Sequence, residues 1–246
     1  MGEVYGHSDT TLFLLEPVSK TVTTIGNFDC VQIIIMGSGE GMWDIALDKN
    51  GAMVGTTASL INGGALVSID KLNAHCTVIA SGTYPNSLTF VAEGVLDPNQ
   101  EVLVGYDTST YERIDPTTGA ITVIGDMNPN PTGQDWESSG DIVSLIGGQT
   151  YLTVKPLGSG SMFAGSDHIV EIDPVTGKPT KMIGDTTYPK LWGLGYWSGV
   201  AYGFSATGQL ISIDLTTAAP TPIPLMNVPA NLSFWGAGVT TSAPHI

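Results

Sequence analysis

Apolar and polar residues alternate with period two along most of the chain, in short runs such as "ALVSID", "HIVEID" and "QLISID". That period places successive side chains on opposite faces of a strand, and no segment shows the 3.6-residue spacing and caps of a helix. The runs come in pairs around a turn. The stretch "YERIDPTTGAITVIGD" (111–126) returns as "IVEIDPVTGKPTKMIGD" (169–185). In the shared Asp-Pro-x-Thr-Gly segment the Asp side chain caps its own turn, Pro presets φ, and Gly takes a positive φ cheaply. These aspartates are therefore read as turn formers.

The Ile-Asp pair recurs at Ile69-Asp70, Ile114-Asp115, Ile172-Asp173 and Ile213-Asp214, with Leu15-Glu16 as a degenerate fifth copy, at intervals of 41 to 58 residues. Two more strands precede each pair, for example "MWDIALD" then "AMVGTT", and "LWGLGYW" then "VAYGFS". Four strands per repeat of this length predict a β-propeller blade. The end segment "FWGAGVTT" matches an inner strand with nothing after it, and "GEVYGHSD" at the start matches a second strand with nothing before it. The expected fold is all-β, a five-bladed propeller with four antiparallel strands per blade, one blade closed by the N- and C-terminal strands. Its blades span about 42–82, 84–125, 137–184, 188–225, and 234–246 joined with 1–26, as a single domain over 1–246. In "APTPIPL", Pro220, Pro222 and Pro224 turn one backbone side to the same neighbour, which only an outer edge strand tolerates.

Composition narrows the function. The chain has 246 residues and 42% apolar content, enough for a core. Eight Lys+Arg against 23 Asp+Glu give a net charge of −15, which repels phosphate backbones and anionic lipid; nucleic acid is excluded as a partner. No apolar run is long enough to span a bilayer, so no membrane insertion is expected. "MGEVYG" lacks the segments of a signal peptide and reads as a start that follows a removed leader. Cys30 and Cys76 are expected to form one disulfide, which together with the acidic, Lys-poor composition points to a secreted or periplasmic, extracytoplasmic monomer.

The blade signature L-x-x-I-D-P-x-T-G-x-x-T-x-I-G resembles the secreted bacterial β-propeller repeat proteins with YncE-like and SMP-30-like blades. The resemblance covers the whole chain and implies the fold; it carries no reaction, because one propeller ring hosts enzymes, lectins and docking modules. Those relatives generally have six or seven blades, whereas this chain has room for five.

In a propeller, the loops between second and third strands share a face with those linking one blade to the next. The long loops here, 27–41, 57–64, 126–140 and 155–168, all fall in these two kinds, while loops of the other face are short. Function is expected on the long-loop face. Ligand-binding candidates there are Trp136, Tyr84, Tyr188, Asp135, Glu137 and His168, since aromatic faces beside polar groups suit sugars and peptides. Asp44, Asp141 and Glu40 are candidate ligands for a divalent cation such as calcium; the plainer reading makes them solvated loop acids, with Asp141 capping a strand. Trp43, Trp192 and Trp235 recur at one blade position, which argues for packing between blades. His7 and His168, with Asp167, are read either as a metal or acid/base site or as surface residues. The apolar run "VQIIIM" is read as an added strand or a partner patch. No nucleophile elbow or phosphate loop is present.

The function expected from these features is a binding module that recognises a glycan or protein surface through its long-loop face. The alternative is a metal-dependent hydrolase or lyase with carboxylates at the channel mouth.

Overall fold

The computed structural model describes residues 2–31, 40–59, 63–130, 133–159 and 164–243. Most of the "VQIIIM" run lies outside them. The described residues form five four-stranded antiparallel sheets. Blade 5 is assembled from both chain ends: β1 (Val4–His7), β2 (Thr11–Glu16) and β3 (Thr21–Asn27) are joined by β20 (Gly236–Val239). Blade 1 holds β4 (Gly41–Leu47), β5 (Met53–Ala58), β6 (Ala65–Asp70) and β7 (His75–Ser81). Blade 2 holds β8 (Leu88–Val91), β9 (Val102–Asp107), β10 (Thr110–Ile114) and β11 (Ile121–Asp126). Blade 3 follows with β12 (Trp136–Ser144), β13 (Thr150–Pro156), β14 (His168–Ile172) and β15 (Pro179–Asp185). Blade 4 contains β16 (Leu191–Trp197), β17 (Val200–Ser205), β18 (Leu210–Ile213) and β19 (Pro220–Ile223).

The inner strands touch in the order β4, β8, β12, β16, β20 and back to β4, so the sheets close into a ring. Closure rests on the pairing of β20 with β1, from Val4 opposite Val239 to His7 opposite Gly236. Buried apolar residues gather into five clusters, each between neighbouring blades; Tyr5 and Leu12 of blade 5, for instance, pack on Met42 and Ile45 of blade 1. As the proline spacing requires, β19 is an outer strand, with Pro220 and Pro222 opposite Ile213 and Ile211. Cys30 and Cys76 are bonded as a disulfide, their Cα atoms 5.5 Å apart, and tie the link after blade 5 to the outer strand of blade 1.

The repeated phrase has a double role. In its turn, Asp115 Oδ1 accepts from the Thr117 and Thr118 amides, and Asp70, Asp173 and Asp214 do the same for Leu72, Val175 and Thr216. Four residues after each acid the backbone turns left-handed, at Lys20, Ala74, Gly119, Gly177 and Ala218, with φ between 60° and 72°. Two copies use glycine there because a side chain would strike the neighbouring blade or its own: at Gly119 a Cβ would collide with Ala80 and Tyr84, and at Gly177 with the Tyr111 ring. The glycine of the following Ile-Gly lies under the turn of the next blade. Gly26 abuts the Asn73 carbonyl, Gly125 that of Thr176 and Gly184 that of Thr217. The motif thus folds its own hairpin and docks it on the next.

This contact generates a prediction. Gly125→Ala drives a Cβ into the Thr176 carbonyl oxygen, so the variant is expected to lose about 1–3 kcal/mol in urea unfolding. A loss below about 0.5 kcal/mol, the range of an ordinary surface change, would show that the turn does not bear on that strand.

Candidate functional site

The axis of the ring is closed by two carboxylic acids. Asp44 of β4 and Asp141 of β12 are both fully buried, and their carboxyl groups lie close enough across the ring for each to bear on the other's ionisation. Four of the five inner strands aim a backbone amide at this pair, and the fifth brings Ala237 alongside Asp141. Asp44 accepts from Ile45 at 2.9 Å and Leu88 at 2.6 Å; Asp141 accepts from Ile142 at 2.6 Å and Leu194 at 2.7 Å. These amides stand at one level of the ring. Four of their residues pair with a glycine of the adjoining strand, Gly55, Gly105, Gly203 or Gly6, and Ile142 pairs with Leu152. The residues just before them are Asp44, Ser87, Asp141, Gly193 and Gly236, so two acids fill the axis that two glycines leave open. A Cβ at Gly236 would collide with His7 Nε2 and Asp44 Oδ1.

Two carboxyl groups buried this close together keep a proton between them rather than hold two bare charges. Burial raises the pKa of Asp44 well above the usual carboxylate range, reinforced by the Asp141 charge; burial raises Asp141 likewise, against its amide donors. His7, also fully buried, completes the group. Its Nδ1 lies 2.8 Å from the Ser8 carbonyl, which can only accept, so Nδ1 carries the hydrogen and Nε2 is a bare acceptor 3.8 Å from Asp44 Oδ1. Burial lowers its pKa to about 4, leaving a neutral ring at pH 7.

This arrangement does not fit the calcium expected at Asp44, Asp141 and Glu40. A hard cation gathers six to eight oxygens, whereas both carboxylates already accept amide hydrogens and share a proton. Glu40 is buried just before β4. Among the described residues, the three His, Cys, Asp or Glu side chains that converge are Asp29, Cys30 and Cys76, and the two sulfurs are bonded to each other.

The other candidates lie in the blade-to-blade links or near the start of strands, as their positions in the chain imply. Trp136 opens β12 and is clamped from both sides by Asn128, whose Oδ1 accepts its amide at 3.1 Å and whose Nδ2 donates to its carbonyl at 2.8 Å. The His168 ring lies over Trp136, with centroids 5.0 Å apart. Glu137 is buried beside Lys155, 3.6 Å away, and accepts from the Gly158 amide. Asp135 accepts from the Asn130 amide within its own loop. Tyr84 is an interior residue, donating its hydroxyl to the Gly119 carbonyl at 3.0 Å. Tyr188 is half-buried, and its carbonyl accepts from Asp167. Burial pushes the Asp167 carboxyl up to about 6, against the Leu191 amide, Ser139 and the Lys155 charge.

Trp192 and Trp235 stand on neighbouring inner strands. Both are half-buried, their rings meet edge-on at 5.5 Å, and Lys190 lies 5.8 Å over the Trp192 ring. They bridge blades, as their recurrence implies, and they also border the mouth.

The acid pair yields a second prediction. Asp141→Ala leaves the Ile142 and Leu194 amides unpaired and is expected to cost about 3–5 kcal/mol. Because the pair has raised folded-state pKa values, its stabilisation is complete below the unfolded carboxylate value of about 4 and falls as pH rises through the folded values. His7 acts with the opposite sign: its contribution is present above about 6.5 and is lost as pH falls toward 4. Melting curves from pH 5 to 9 should show a shallower alkaline decline for Asp141→Asn than for the parent; equal slopes would remove the shared proton from the account.

No protein-family model matches the sequence, and no curated protein matches it either. Solved structures do. BamB from Moraxella catarrhalis is 14% identical, with 88% of this chain and 58% of that one covered, at a TM-score of 0.39. A protein of unknown function from Bacteroides caccae is 12% identical, covering 95% and 77%, at 0.42. The xyloglucan PUL GH43B of Bacteroides ovatus is 13% identical, covering 82% of this chain and 44% of that one, at 0.51. The chain spans just over half the length of BamB and under half that of GH43B, and at these identities the likeness is one of fold alone.

Proposed function

We propose that the protein is an extracytoplasmic, non-catalytic binding module that holds a glycan against its long-loop face. The observation that carries this reading is the half-buried Trp192–Trp235 pair at the rim of a sealed axis. Indole faces stack on the C–H faces of sugar rings while their edges stay wet, and a rigid propeller presents them without an ordering cost. Trp136 under His168 offers a second aromatic position on the same face, held by the Asn128 clamp. The Cys30–Cys76 disulfide supports an oxidising compartment.

Of the acids Asp44, Asp135, Glu137 and Asp141, the axial pair lends the hydrolase reading no support. Asp44 and Asp141 have no exposed surface for a substrate to touch, and their oxygens are engaged by amides.

Glycan-array binding tests the proposal, with Trp192→Ala and Trp136→Ala as variants. The parent is expected to bind at least one glycan class, and Trp192→Ala to weaken it about tenfold or more, the effect of one lost stacking platform of roughly 1.5 kcal/mol. Failure of the parent to bind any glycan would overturn the reading.

A further inference from the structure

Beside the Trp235 rim lies a cleft of about 340 Å³ between the blade 5 turn Ser8–Thr11, the outer part of that blade, and the link from blade 4 at 229–233. We infer that this cleft is the sugar subsite of the binding face, taking a neutral, polyhydroxylated ring; the inference rests on the glycan reading above.

The cleft walls carry neutral hydroxyl and amide groups, including Thr11, Thr24, Asn27, Asn231 and Ser233, with one carboxylate, Asp9. No Lys or Arg lines it, so phosphate, sulfate and carboxylate ligands find no counter-charge and meet Asp9 instead. Sugar hydroxyls donate and accept at once, and a mixed wall of amides, hydroxyls and one acceptor-only carboxylate matches that pattern. Phe13 forms the apolar floor of the same cleft, packed edge-on against Phe234.

The wall is also pre-set. Ser8 Oγ accepts from the Thr10 and Thr11 amides at 3.2 and 3.0 Å, which fixes the turn. Thr11 donates to Asn27 Oδ1 at 2.9 Å, so the Asn27 amide is oriented with its Nδ2 hydrogens free of that bond. Asn231 sits at φ 60°, a left-handed position that Asn tolerates, and is exposed. The volume lies at the lower end for small-molecule sites, suiting one or two sugar rings rather than a folded partner.

The test uses the intact chain and a panel of neutral tri- and tetrasaccharides of glucose, mannose, galactose and xylose, titrated by calorimetry. The variants are Asn231→Gly, which removes the amide while keeping the positive φ, and Asn27→Ala. Melting temperature serves as the folding control, and side-chain amide NMR signals give a second readout. Expected are a fall in affinity of tenfold or more for the double variant at unchanged melting temperature, and ligand-induced shifts of the Asn27 and Asn231 side-chain amides. If the parent binds a saccharide and Trp192→Ala weakens it while the double variant binds as the parent does, the cleft is not the subsite and the glycan reading stands. If the parent binds no member of the panel but retains short neutral peptides, both fall together.

Discussion

Two carboxyl groups buried on the axis, those of Asp44 and Asp141, set the terms for the rest of the molecule. Five inner strands converging on one line bring five amide donors into a space too narrow for five side chains. Left unpaired, each buried amide would cost about 1–3 kcal/mol. The two carboxylates accept four of these amides, and the pair also keeps a proton, since two bare charges in a dry interior repel and are poorly solvated. The glycine at 236 follows from the same geometry, since a Cβ there would strike Asp44 and His7, and the one at 193 from the close approach of the neighbouring strand, where a Cβ would strike Gly236 and Ala237.

Around that centre the ring is held by repetition. Each hairpin turn is stabilised locally by its Asp or Glu and then covers the outer strand of the preceding blade, at Gly26, Gly125 and Gly184. The repeat was legible because turn chemistry and strand alternation act over a few residues, so period, blade number and the stitched blade all show in the order of residues. The second use of the Ile-Gly glycine was hidden, since the carbonyl it accommodates belongs to another blade. Left-handed positions at Lys20, Ala74 and Ala218 were hidden too, because only two of the five turns mark that place with glycine.

The candidate site was legible only in part, for a related reason. Asp44 and Asp141 stood out as acids, but their partners are backbone amides of other blades, which no side-chain pattern displays. A signal was present: aligning the inner strands sets Asp-Ile twice beside Ser-Leu, Gly-Leu and Gly-Ala, acids among small residues at the position that marks the axis. His7 reads in the sequence as a loop residue, yet it is the last residue of β1 and faces the acids. Tyr84 and Tyr188 share a linker motif but differ in burial, since Gly119 gives the Tyr84 hydroxyl a partner inside.

The sealed axis also decides where binding can occur. In an open propeller the channel is the natural pocket, lined by every blade; here the acids, His7 and the packed inner strands close it. A ligand must then lie on the face, where its contacts come from loops and from the first residues of inner strands, and each is rigid only as far as the scaffold fixes it. Trp192 and Trp235 begin or precede β16 and β20, Trp136 begins β12, and Asp9 follows β1, so the groups nearest the mouth are all anchored within a residue or two of the ladder. Such anchoring keeps aromatic platforms and polar donors in place before a ligand arrives, which lowers the ordering cost of binding. The proton buried at the centre and the face above it are in this sense one device: the first closes the ring, and the closed ring holds the second still.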